Sequence, residues 1–197
     1  METIVKKIES PWEYYVIDNF FSLDDIEVIK EMTDFFPTIA ESNSRIRVRF
    51  GTASSYNVLE LQQTDNALKR KHLSNIVKRK IFQNFSDHPQ LSELMESYVQ
   101  VEYSSLGKGF NYKIHSDAYS KFFSLVWYWK PEDKPSCGTR VYDKDKNFVE
   151  EIEWKYNRAF AFFNGEEKYH DFYSDKEERI SMNFIFMTPK FAPPKPW

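Results

Sequence analysis

The sequence predicts a mainly β protein with flanking α-helices, in which N-terminal helices brace a C-terminal sandwich or barrel. Three observations carry this. From Tyr98 onward the chain is a succession of short β-prone pieces separated by turn residues. Before Tyr98, apolar residues recur near helical spacing in two segments. Hydrophobic residues make up 41% and aromatic residues 18% of the chain, which supplies a core and excludes disorder for most of it. The length of 197 residues predicts one domain, with supporting strands and helices over 1–97, the β core over 98–189 and a Pro-rich tail over 190–197.

Taken in order, Tyr14 to Ile17 is β-prone. Ser22 opens a helix marked by Leu23, Ile26, Ile29, Met32 and Phe36, with Ser22 and Asp25 as a capping box and Pro37 as its stop. Residues 45–50, Arg-Ile-Arg-Val-Arg-Phe, alternate strictly and read as a strand with one charged face. A long helix follows over about Asp65 to Phe85, and Pro89 opens a short one through Ser97. The β half is expected as strands over 98–103, 110–115, 122–129, 139–142, 148–154, 158–163 and 179–187, with no helix among them. The turn formers between them include Gly107-Lys-Gly109, Pro131-Glu-Asp133 and Asn164-Gly165.

Charge and cysteine usage exclude several function classes. Lys plus Arg number 27 against 30 Asp plus Glu, a net charge of -3. The basic excess of a dedicated nucleic-acid or membrane-surface binder is therefore missing, although 69–71 and 78–80 form a local basic patch. That patch reads as a solvated helix face or as a phosphate contact. Cys137 alone permits no internal disulfide and no Cys-rich zinc site, and fits a reducing compartment. The charged N-terminus has no signal-peptide core, and no run reaches the roughly 20 apolar residues of a membrane helix. A cytoplasmic location is the expectation.

Any metal site must then come from His, Asp and Glu. His115 and Asp117 lie two apart, on one face of a strand and roughly 6.6 Å apart along it, so both can reach one ion. His170 could complete two imidazoles and one carboxylate, a donor set associated with non-haem Fe(II). The bland alternative is an ordinary strand end. In 179–187 the alternation puts Arg179, Ser181 and Asn183 on one face and Ile180, Met182, Phe184 and Phe186 on the other. A cation beside a metal suits an anionic ligand, whereas the alternative pairs Arg179 with Glu177 or Glu178. His72 and His88 read as structural or surface residues, and Cys137 as a small packed one.

Together, His115-Ser-Asp117, His170 at 55 residues further on, and Arg179-Ile-Ser181 resemble the His-x-Asp…His…Arg-x-Ser pattern of Fe(II)/2-oxoglutarate-dependent dioxygenases. The fold of that family is a double-stranded β-helix, or jelly roll. The prolyl 4-hydroxylase-like branch fits best, through the run from Tyr103 past Gly107, Gly109 and Tyr112 to His115, and through the order of the segments that follow. The resemblance implies that His115, Asp117 and His170 bind Fe(II) and that Arg179 holds the distal carboxylate of 2-oxoglutarate. It further implies that Tyr103 and Tyr128 contact the cosubstrate, that Ser181 supports the same carboxylate, that O2 is a cosubstrate and that ascorbate is supportive. The expected activity is hydroxylation of a protein or peptide residue, proline first, with 2-oxoglutarate converted to succinate and CO2. A free amino acid or other small molecule is the alternative substrate, and a non-catalytic cupin-like module the alternative class. The nucleic-acid demethylases of the same superfamily carry a second Arg six residues after the first, where this chain has Ile185. The hypoxia-sensing hydroxylases have Trp at that place, and the Gly-Gly turn of many relatives is Cys137-Gly138 here. Loops at about 41–64 and 131–147 are expected to shape substrate entry.

Overall fold

The computed structural model describes residues 2–33, 45–50, 63–130, 137–175 and 178–188. The expected helix stop at Pro37, residues 41–44 and 51–62 of the first entry loop, 131–136 of the second and the tail lie outside them. The chain opens with a hairpin of β1 (Ile4–Ile8) and β2 (Tyr14–Asp18). Sequence patterning gives no sign of β1, because it is an edge strand whose Ile4 and Val5 are exposed beside Lys6 and Lys7. The helix α1 (Leu23–Thr33) begins at the expected box: the Ser22 Oγ donates to Asp25 Oδ2 at 2.6 Å, and the Asp25 N–H donates to Ser22 Oγ at 3.2 Å.

After β3 (Arg45–Phe50), α2 (Gln63–Asn84) turns Leu73, Ile76, Val77 and Ile81 inward at helical spacing. Four of its basic residues are engaged within the chain. Arg79 and Lys80 pair with the buried Asp25, Lys78 donates to the Met95 carbonyl, and Arg70 lies over the Tyr98 ring. The short α3 (Leu91–Glu96) follows, with Leu94 in the core.

The β half runs β4 (Tyr98–Leu106), β5 (Lys121–Lys130), β6 (Thr139–Tyr142), β7 (Phe148–Ile152), β8 (Ala159–Phe163), β9 (His170–Phe172) and β10 (Arg179–Met187). These form an antiparallel seven-stranded sheet, ordered β1-β2-β8-β5-β10-β4-β3, and a three-stranded sheet, β7-β6-β9. One face of the large sheet, with Val101, Leu125, Trp127, Met182 and Phe184, packs on the helices. The other face sends Tyr14, Tyr128, Phe160 and Phe162 against Val141, Ile152 and Trp154 of the small-sheet side. Facing sheets with this connectivity make the expected jelly roll, and the helices brace the large sheet alone.

Two expectations are corrected. Residues 110–115 do not form a strand; they meet the β9 segment only at isolated bridges, Asn111 to Tyr173 and His115 to His170. The Gly107–Gly109 turn, with Gly109 at φ 81°, delivers the segment out of register with a continuous ladder. Conversely, β9 forms where no strand was expected, because three residues are too few to display an alternation.

Asn157 ties the two halves together. It is buried with a left-handed backbone, φ 59°; its Oδ1 accepts from the Phe21 N–H and from the Trp127 indole, each at 3.0 Å. Its Nδ2 donates to the Phe21 carbonyl at 2.8 Å. Replacing Asn157 with Ala leaves three buried groups unpaired and is expected to destabilise the protein by roughly 3 kcal/mol or more in urea unfolding. Asn157→Gly relieves only the backbone and is expected to recover no more than about 1 kcal/mol of that loss.

Candidate active site

Between the sheets lies a cavity of about 430 Å³, lined by His115, Asp117, His170, Arg179 and Ser181 among others. The ligand atoms of His115, Asp117 and His170 lie within 4.8 Å of one another, the one such grouping of His, Cys, Asp or Glu side chains among the described residues. Backbone pairing sets the two imidazoles side by side. The His115 N–H donates to the His170 carbonyl at 3.0 Å, and the His170 N–H to the His115 carbonyl at 2.9 Å. Their ring centroids are 4.4 Å apart.

Each ring is oriented by a carbonyl, which can only accept. Nδ1 of His115 donates to the Lys113 carbonyl at 2.9 Å and Nδ1 of His170 to the Lys168 carbonyl at 3.1 Å. The two Nε2 atoms are left with lone pairs for a metal, the arrangement that fixes imidazole ligands in known sites. Burial holds His170 neutral, with its pKa lowered to about 4, and the neighbouring His115 adds to this. Asp117 accepts from Ser124 Oγ at 2.6 Å and pairs with Lys121. Burial pushes its carboxyl up, but the Lys121 and His170 charges and the two hydrogen bonds outweigh that and keep it below the usual carboxylate range. Two neutral imidazoles and one carboxylate are the donor set suited to Fe(II).

Arg179 lines the same cavity and is 1% exposed. Its Nη1 donates to the carbonyls of Cys137 at 2.8 Å, Gly138 at 2.9 Å and Tyr173 at 3.2 Å, and the guanidinium lies 4.6 Å from the Trp154 ring centroid. Its Nε is buried and has no hydrogen-bond partner among the described residues. A buried cation with an unused donor fits an anion that enters the cavity. The surface pairing with Glu178 does not occur; Glu177 lies outside the described residues.

Of the other expected cosubstrate contacts, Ser181 lines the cavity. Tyr103 is not among the lining residues. The β4 alternation turns Glu102 and Ser104 into the cavity and sends Tyr103 to the helix-side core, where its ring meets Trp129. Tyr128 stands behind Arg179 rather than on the lining. Its hydroxyl donates to Thr139 Oγ1 at 2.7 Å, and it is Thr139 that reaches the cavity. Sequence reasoning missed Arg45, Arg47, Glu102, Thr139 and the Phe160, Phe162 and Phe172 walls. Only the charged face of residues 45–50 signalled any of these.

No protein-family model matches the chain, and no curated protein matches it. Solved structures do. A viral collagen prolyl hydroxylase from Paramecium Bursaria Chlorella virus-1, in its 2OG complex, matches with a TM-score of 0.57 and 15% identity over 87% of this chain and 94% of its own. A prolyl-4-hydroxylase from Pseudomonas putida matches at 0.53 and 15%, over 88% and 91%. A Trichoplax adhaerens prolyl hydroxylase, in complex with a hypoxia inducible factor peptide fragment, matches at 0.62 and 13%, over 90% and 84%. The chain thus has the jelly-roll fold on which these hydroxylases are built.

The neutral buried His170 has a consequence for stability. Its folded pKa of about 4 lies below the ordinary 6.5, so as pH falls the unfolded chain takes up this proton first. The metal-free protein is expected to lose up to about 3 kcal/mol from this group between pH 6.5 and 4. Urea midpoints across that range check it, and His170→Gln should flatten the slope.

Proposed function

We propose that this chain is an Fe(II)- and 2-oxoglutarate-dependent oxygenase that hydroxylates a protein or peptide residue, most of all proline, and that it acts as a single domain. The observation that carries the reading is one cavity holding both the His115, Asp117 and His170 donor set and a buried Arg179 whose Nε lacks a partner. The choice of proline rests on the prolyl hydroxylases that share the fold, one of them in complex with a peptide fragment. The engagement of Arg70, Lys78, Arg79 and Lys80 within the chain weighs against a nucleic-acid substrate. Among the described residues no helix is long and apolar enough to cross a membrane. The single cysteine, buried at Cys137, supports a reducing compartment such as the cytoplasm.

Fe(II) bound here, with 2-oxoglutarate and O2, would supply oxidative decarboxylation to succinate and CO2 coupled to hydroxylation of a substrate C–H bond. The chain itself provides positioning. The Nε2 atoms of His115 and His170 and a carboxylate oxygen of Asp117 would hold the metal, each oriented by the bonds described above. Arg179 would fix the distal carboxylate of 2-oxoglutarate through a charge-assisted bond in a dry pocket, with the Ser181 and Thr139 hydroxyls on the same lining. Phe160, Phe162 and Phe172 make the walls apolar and exclude water.

Incubating the protein with Fe(II), ascorbate, O2, 2-oxoglutarate and proline-containing peptides should yield succinate and a gain of one oxygen on proline by mass spectrometry. Oxidation that does not require 2-oxoglutarate would sink the reading. His115→Ala, Asp117→Ala and His170→Ala are each expected to lower succinate formation at least about a hundredfold. Full activity in any one of them removes that residue from the site. Arg179→Ala, checked for folding by circular dichroism, is expected to raise the KM for 2-oxoglutarate at least about tenfold. An unchanged KM would dismiss the carboxylate role.

A further inference from the structure

The cavity carries a second cationic feature that neither a metal nor 2-oxoglutarate uses. On β3, Arg45 and Arg47 both face the cavity, and Glu102 of the neighbouring β4 joins them on its lining. Three donors converge on Oε1 of Glu102: Arg45 Nη2 at 2.9 Å, Arg47 Nε at 3.2 Å and Asn183 Nδ2 at 3.1 Å. Among the described residues of this wall, two guanidiniums thus share one carboxylate. Of the other charges on the lining, Lys121 pairs with Asp117, whereas Arg179 meets only neutral carbonyls and has no carboxylate partner among the described residues.

The two arginines differ in how firmly they are held. Arg45 is anchored, with its Nε on Ser104 Oγ at 2.9 Å and its guanidinium 5.1 Å from the Phe172 ring centroid. Its side chain is 11% exposed and that of Glu102 is 4%. Arg47 is 32% exposed and makes no ion pair or hydrogen bond among the described residues other than the one from Nε to Glu102. Among the described residues that ion pair is its one polar contact, and neither Nη group of the guanidinium fork has an acceptor there. A carboxylate is the acceptor whose geometry matches such a fork, and Arg45 behind it adds favourable charge.

We propose that Arg47, oriented by Glu102 and backed by Arg45, binds a carboxylate of the substrate, so that the site selects acidic substrates. This deepens the oxygenase reading and rests on it for the word substrate. The carboxylate comes from either of two sources: an acidic side chain flanking the oxidised residue in a peptide, or the α-carboxylate of a free amino acid or C-terminal residue. Arg47 is a specificity residue that acts in binding and is outside the groups that hold metal or cosubstrate.

The test is binding without turnover. Protein loaded with Mn(II) and 2-oxoglutarate, free of O2, is titrated by calorimetry with two probe pairs. The first pair is a proline peptide flanked by Glu and the same peptide flanked by Gln; the second is L-proline and L-prolinamide. The acid of at least one pair is expected to bind about tenfold tighter than its amide, and that ratio is expected to fall to about one in Arg47→Gln. Which pair shows the difference identifies the source of the carboxylate. Equal binding of acid and amide in both pairs, no binding of any probe, or a ratio preserved in Arg47→Gln overturns the proposal. Succinate formed without added substrate is followed in parallel in the wild type. A complete lack of succinate in the wild type counts against the oxygenase reading, while the binding ratio still decides whether Arg47 reads a carboxylate.

Discussion

A guanidinium buried to 1% exposure without a carboxylate partner among the described residues is the constraint around which this jelly roll is arranged. Such a charge is costly to remove from water unless its donors are used. Burial lowers the affinity of Arg179 for its proton, which measures the strain on the charged form. The chain answers with three carbonyls on one nitrogen and with the faces of Trp154, Tyr128 and Phe172. Gly138, one of those carbonyl donors of electron density, has no room for a side chain. A Cβ there would sit 2.4 Å from Glu151 Oε1 and 2.5 Å from the Ile152 carbonyl. The close approach of β6 to β7 that brings the Gly138 carbonyl to Arg179 therefore requires glycine at this position.

The two sheets divide the work of building the cavity. Imidazoles arrive from the small-sheet side through the bridge between His115 and His170, whereas Arg179, Ser181 and Asn183 come from β10 in the large sheet. The large sheet is held by helices on its far face, with Asn157 locking the Phe21 turn to Trp127. The helix-braced sheet thus carries the buried guanidinium, and the two imidazoles hang on shorter elements facing it.

Much of this was legible in the sequence because strand periodicity reports which residues share a face. The alternation in 179–187 separates Arg179, Ser181 and Asn183 from Ile180, Met182, Phe184 and Phe186, and the structure divides them the same way. The Ser22 and Asp25 box and the two longer helices were legible for similar local reasons. Where the reading failed, parity or pairing was decided by distant parts of the chain. Tyr103 fits a motif by position, yet its place between Glu102 and Ser104 commits it to the helix side. His115 was read on a regular strand, whereas it sits at a single bridge. Arg45 and Arg47 announced a charged face, but nothing local says that the face turns inward onto Glu102.

The bridge between the two histidines has one more implication. Reciprocal backbone bonds join their main chains, so the spacing of the imidazoles is a property of the fold and exists before any ion arrives. Asp117 lies off that bridge and is tethered only through its side chain, by Ser124 and Lys121. An ion held here would meet two nitrogens spaced by the backbone and one oxygen held through its side chain. Differences in ionic radius would then fall on the carboxylate and spare the backbone, leaving discrimination among divalent metals to donor chemistry.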